Sequence, residues 1–289
     1  ANNYPYSQLN DIDNDYDVII LLIPKTKEDR EQLYDLDLVS MAKQKSKKVW
    51  FMQEGPAWIF QDLPLHQQFW HYNVLASVDG ILCENKTDIP YFKGLVPNKP
   101  VFDIPSVMIE DNIVKYKNNE KEDKVMIGGN FVRWYGGFDS YVIAQEFNLP
   151  IFAPSMGRKI DNEEQMENLT HLPYMNWITW VNNLSRFKYG VHLMPTWAAG
   201  TFTLNCAYHG IPCIGYEGLD TQHLHPSLCV EYGDLNTAVN LAIKLKKDTD
   251  FYQKCSEECK ESYEKSNFNE KNYIYTMNKV IGEVINETN

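Results

Sequence analysis

The chain has 289 residues, 44% hydrophobic and 23% charged. This is globular composition with room for two domains of roughly 100–150 residues, and it excludes a disordered, collagenous or coiled-coil protein. A formal net charge of -12 repels phosphate backbones, so general nucleic-acid binding is not expected, while one small anion in a local pocket is still allowed.

Residues 1–16 are polar, without period, and read as a loop or arm. Val18 to Ile23 is a continuous apolar run stopped by Pro24, the pattern of a strand buried on both faces in a parallel sheet. The run is far shorter than the roughly 20 residues that cross a bilayer, and no basic-then-apolar leader precedes it. Residues 27–46 predict an amphipathic helix through Leu33, Leu36, Val39 and Met41. Strands follow at Val49–Met52, Ile81–Cys83 and Val101–Ile104, with helices over 64–77 and 88–95 between them. Such alternation implies a parallel sheet wrapped by right-handed crossovers.

Residues 110–124 are charged and Asn-rich, the best linker in the chain. The pattern then restarts. Strands are expected at 125–127, 150–153, 190–194, 212–215 and 228–230, and helices over 138–147, 175–187, 201–209, 234–247, 249–264 and 269–286. The fold class is therefore α/β with two Rossmann-like domains and a cleft between them. Residues 1–109 form the first domain, on which 270–289 is free to pack back, and 125–269 form the second. The six Cys form no C-x-x-C pair and no metal spacing with His, so they read as reduced thiols of a cytoplasmic protein. His223 and His225 have no third ligand beside them, and no metal site is expected.

The most specific segment runs from Met194 to Gly215: a strand end, a glycine loop, a helix, then Gly-x-Pro and a second strand. The loop opens the helix at Gly200-Thr201, so free N–H groups and the hydroxyls of Thr201 and Thr203 would face a diphosphate. Asn205 lies one turn in and would reach a ribose.

From Pro195 to Gly215 the stretch resembles, with no gap, the nucleotide-sugar signature of GT-B glycosyltransferases. That signature reads loosely Pro-Ser, an acidic–Gly–Phe–Gly loop, then Glu-Ala-Met-Ala-x-Gly-x-Pro-Val-Ile. Val125 to Asp139 resembles the first strand and loop of the family's donor domain, and Tyr189 to Pro195 its fourth strand. The resemblance implies an enzyme that moves a hexosyl group from a nucleotide-diphosphate sugar to a hydroxyl of a glycan, lipid or protein. No bound cofactor or metal is implied. The implied donor side comprises Gly128, Gly129, Asn130, Arg133, Thr201, Phe202, Thr203, Asn205 and Glu217. Departures from the family are specific. The two Glu residues of many retaining members fall on Trp197 and Asn205, and the usual basic pair falls on Asn130 and Tyr135, with Arg133 close by. These losses leave two other readings open, a catalytically degenerate binding subunit and a sugar-nucleotide epimerase. The first domain is short for the family, either reduced or part of a longer chain.

Individual residues carry the chemistry. A guanidinium pairs bidentately with phosphate, which makes Arg133 the diphosphate clamp. Gly128 and Gly129 would let phosphate approach the backbone closely. Glu54, at the carboxyl end of a strand, is the first choice for the base that deprotonates the acceptor hydroxyl. Glu217 follows the Cys213 strand and would hold sugar hydroxyls. His66 and His71 lie on an aromatic helix face and read as packed or surface residues, as do Trp58, Phe60, Phe69 and Trp70.

Overall fold

A computed structural model of the chain describes residues 4–13, 15–23, 34, 37–129, 131, 134–154, 166–197 and 200–286. The chain divides into two compact units, one of residues 1–105 with 274–289 and one of residues 106–273.

The first unit holds four parallel strands in the order of the chain: β1 (Tyr16–Ile23), β2 (Ser46–Gln53), β3 (Gly80–Cys83) and β4 (Val101–Asp103). Three helices connect or follow them: α1 (Leu38–Lys43), α2 (Leu65–Ser77) and α3 (Ile89–Leu95). Strand order that advances one way through right-handed crossovers puts every connecting helix on one face. Packing follows that rule. Val49, Phe51, Ile81 and Val101 on alternate strand positions pack with Leu38, Val39 and Ala42 of α1, Leu75 of α2 and Phe92 of α3. The opposite face, Trp50 and Leu82, packs with Val280 and Val284 of the last helix, α9 (Glu270–Asn286). β1 is an edge strand rather than one buried on both faces: Ile20 and Leu22 remain 49% and 59% exposed. Of the helix expected over 27–46 only α1 is described, since 24–33 and 35–36 lie outside the described residues.

The second unit holds a six-stranded parallel sheet. Its strands are β5 (Glu122–Ile127), β6 (Ile151–Pro154), β7 (Leu169–Leu172), β8 (Phe187–His192), β9 (Cys213–Tyr216) and β10 (Cys229–Val230), in the order β10-β9-β8-β5-β6-β7. Here helices cover both faces. Val125 and Ile127 pack with α4 (Gly137–Ala144) and α7 (Leu235–Lys247), while Met126 packs with α5 (Trp177–Leu184) and α6 (Thr201–His209). Helix α8 (Thr249–Lys265) buries Tyr252, Cys255 and Cys259. Residues 110–124, expected as a linker, are fastened to this unit. Tyr263 donates to Glu110 at 2.6 Å, Val114 N–H to Asn182 at 2.7 Å, and the Lys121 ammonium to the His209 carbonyl at 2.7 Å. β7 was not expected. All six cysteines are unpaired. No described helix is long and apolar enough to cross a membrane.

Candidate donor site

In an open parallel sheet, ligands bind beyond the carboxyl ends of the strands where strand order reverses. In the second unit that point lies between β5 and β8. Among the described residues, the first unit has no reversal. Loops after β5 and β8 frame the point, and each leads into a helix that starts on glycine: Gly136 before α4 and Gly200 before α6. Neither start has a side-chain cap. Helices α1, α5, α7 and α8 differ: Asp37, Asn176, Asp234 and Asp248 accept hydrogen bonds from their first-turn N–H groups. An uncapped start leaves N–H groups, at the positive end of the helix dipole, for an anion.

Close backbone approaches shape the site. Gly136 has φ +63°, and a Cβ there would collide with the Leu193 carbonyl oxygen, so the two loops touch. Ser140 of α4 adds a bond by accepting from Leu193 N–H at 2.9 Å. A Cβ at Gly128 would collide with the Phe202 ring and lie 2.7 Å from the His192 ring. Gly128 is therefore glycine because two rings pack on it, rather than to admit phosphate. Phe202 is buried, a core residue beside the ends of β5 and β8. A Cβ at Gly129 would come within 2.7 Å of the Tyr135 carbonyl oxygen.

The first turn of α6 is clamped by the loop after β9. Thr221 donates to the Gly200 carbonyl at 2.8 Å, and Thr203 donates to Thr221 at 2.5 Å. Contrary to expectation, the Thr203 hydroxyl is buried and spent on this clamp. Thr201 is exposed. Asn205 is fully buried, and neither its amide nitrogen nor its oxygen meets a hydrogen-bond partner among the described residues. His192 is equally unpartnered, and burial pushes its pKa down to about 4, so it is neutral at pH 7.

The structure locates the other candidates as follows. Glu217 is exposed at the end of β9, and its N–H donates to the Val230 carbonyl at 2.9 Å. Burial first, then the Glu217 charge, pushes the Cys229 thiol up to about 11. Trp197, 40% exposed, lies against Gly218, where a Cβ would collide with the indole nitrogen. Asn130 and Arg133 lie outside the described residues. His225 is not free for metal: Nε2–H donates to the Thr203 carbonyl at 2.9 Å and Nδ1 accepts from Cys213 N–H at 3.4 Å. No group of three or more His, Cys, Asp or Glu able to hold a metal occurs among the described residues. Glu54 belongs to the first unit, half-buried just after β2, with its N–H on the Ile23 carbonyl at 2.9 Å. His71 is a packed residue there, bonded to Gln53 at 3.2 Å and stacked on Phe60 at 3.7 Å between centroids.

No protein-family model matches the sequence, and no curated protein matches it. Solved structures do. Sucrose-phosphate synthase from Thermosynechococcus elongatus matches with TM-score 0.68 at 13% identity, over 94% of this chain and 75% of its own. The pneumococcal O-GlcNAc transferase GtfA, solved with UDP and GlcNAc, matches with TM-score 0.69 at 12% identity, over 97% of this chain and 59% of its own. The fold is that of the GT-B glycosyltransferases. Anabaena HepE, solved with UDP and glucose, has the same fold, with TM-score 0.68 at 10% identity over 94% of this chain and 78% of its own. The GT-B fold agrees with the resemblance read from Pro195 to Gly215. This GT-B chain spans little more than half of GtfA and about three quarters of the other two proteins.

Proposed function

We propose that the protein transfers a hexosyl group from a nucleoside diphosphate sugar to a hydroxyl of a glycan, lipid or protein acceptor. The observation that carries this reading is the pair of uncapped, glycine-started helices meeting at the strand-order reversal of the second sheet, with an Asn205 amide on one of them that is unpaired among the described residues. The proteins of the same fold support it: a sucrose-phosphate synthase, an O-GlcNAc transferase solved with UDP and GlcNAc, and HepE solved with UDP and glucose. Those complexes also favour transfer over an epimerase or a silent binding subunit.

In this reading the diphosphate sits on the α6 N-terminus and on Thr201, Gly129 and Asn130, clamped by Arg133. Asn205 turns its amide to the ribose, and Glu217 faces the sugar. Thr203 and Phe202 contribute by fixing the first turn of α6. Glu54 takes the proton of the acceptor hydroxyl as its oxygen attacks the anomeric carbon and the diphosphate leaves. Rate enhancement comes from orientation and from N–H groups and the guanidinium neutralising charge that grows on the leaving diphosphate. Hydroxyl, amide, N–H and guanidinium groups hold a diphosphate directly, so the reading is of a metal-independent enzyme. Unpaired thiols fit a cytoplasmic setting.

The test is a thermal-shift screen of uridine, guanosine and adenosine diphosphates and their glucose conjugates. A ligand at 100 times its Kd adds about 2.7 kcal/mol of stability. One base is expected to raise Tm in wild type and much less in Arg133→Ala. No shift from any of them at millimolar concentration overturns the reading.

A further inference from the structure

We propose that Trp197, together with Glu217, is the platform that recognises the sugar of the donor, and that it determines which sugar is accepted. This rests on the donor-site reading above and goes beyond it, because the family resemblance counts Trp197 only as a lost carboxylate.

Three adjacent close approaches tie the loop after β8 to the loop after β9. Trp197 lies on Gly218, Gly200 lies on Leu219 with a hypothetical Cβ 2.5 Å from its side chain, and Thr221 donates to the Gly200 carbonyl at 2.8 Å. The loop after β9 thus both clamps the first turn of α6, through Thr221, and carries Gly218, on which the indole rests. Only glycine at 218 permits the contact, since any Cβ would strike the indole nitrogen. A tryptophan on a protein surface normally buries its ring, yet this one keeps 40% of its surface open while its five-membered ring is fixed. Glu217, one residue before Gly218, is exposed next to it.

An exposed tryptophan resting on Gly218, with the exposed Glu217 adjacent to that glycine in the chain, matches the chemistry of a pyranose. Ring C–H bonds form an apolar face that packs on an aromatic ring, while hydroxyls at the ring edge donate to a carboxylate. A diphosphate on the α6 N-terminus brings its sugar to the neighbourhood of the residues that precede Gly200. A pinned ring loses little freedom on binding, so its contact translates into selectivity.

The experiment measures binding by calorimetry of nucleoside diphosphates (uridine, guanosine, adenosine) and of their glucose and, for uridine, N-acetylglucosamine conjugates, to wild type, Trp197→Ala, Trp197→Phe and Glu217→Gln. Tm is recorded for each variant to confirm folding. The expected result is that Trp197→Ala weakens the nucleotide sugar about tenfold and leaves the free diphosphate unchanged, about the scale of one stacked ring. Trp197→Phe should recover most of the loss, and Glu217→Gln should also act on the sugar conjugate alone. Equal weakening of both ligands in Trp197→Ala, or no weakening of either, overturns the inference while the donor-site reading stands. Failure of every nucleotide to bind wild type overturns the donor-site reading and this inference with it.

Discussion

Thr203 and Asn205 sit two residues apart on one helix, both fully buried, and have opposite fates. Thr203 spends its hydroxyl on Thr221, whereas the Asn205 amide meets no partner among the described residues. An unpaired buried amide costs about 1–3 kcal/mol, a cost that ligand bonding would offset. Asn205→Leu is therefore expected to raise the stability of the free protein by about 1–3 kcal/mol and to weaken nucleotide binding. Urea unfolding and titration of the same variant read both effects, and a fall in both stability and affinity would instead make Asn205 structural. Gly128→Ala tests the packing account of that glycine. Its methyl meets the rings of Phe202 and His192, and the strain is expected to cost about 1–3 kcal/mol in urea unfolding.

At the scale of elements, α1, α5, α7 and α8 carry side-chain caps, whereas α2 and α3 of the first unit lack them as α4 and α6 do. Asp248 caps α8 by accepting from Phe251 N–H at 2.9 Å, and Asp234 caps α7 by accepting from Thr237 N–H at 3.0 Å. Asp248→Ala is expected to lower stability by about 0.5–2 kcal/mol with no change in nucleotide affinity. Chemical denaturation beside nucleotide titration checks it. What distinguishes α4 and α6 is that their uncapped starts follow β5 and β8, the strands at the order reversal, and there the proposed ligand takes the place of a cap. Strand positions followed from apolar runs, but β7 did not. Its residues Leu-Thr-His-Leu alternate weakly, and it lies at a sheet edge, pairing with β6 on one side, with Leu169 and Leu172 only partly buried against the core. β1 shows the converse: an apolar run long enough for a central strand occupies an edge.

For the molecule as a whole, buried histidines set the acid limit. Burial lowers His192 and His225 to about 4, and burial with the Lys121 charge lowers His209 to about 3. Each is neutral when folded and protonates near 6.5 when unfolded, so between pH 6.5 and 4 the unfolded chain binds more protons. Stability is thus fully present above pH 6.5 and falls as pH drops toward 4, by about 1–3 kcal/mol for each imidazole. Lys121, which burial lowers to about 7, adds a rise in stability from pH 7 to about 10 on the same sign. Urea midpoints across pH 4 to 9 check both arms, and a flat profile below pH 6.5 would contradict the burial of these rings.

The sequence alone determined most of the alternation of strands and helices and the likeness from Pro195 to Gly215. Those features are local: apolar runs, turn residues and a helix start lie within a few positions of one another. The tertiary structure decided strand order, and with it that, among the described residues, only the second unit has a strand-order reversal. It also decided that residues 110–124 are fastened down, that Gly128 accommodates rings and that Thr203 is spent. It placed Trp197 on Gly218, an approach between residues far apart in the chain. Such outcomes depend on which distant side chain arrives at a given backbone atom, and no local pattern encodes that.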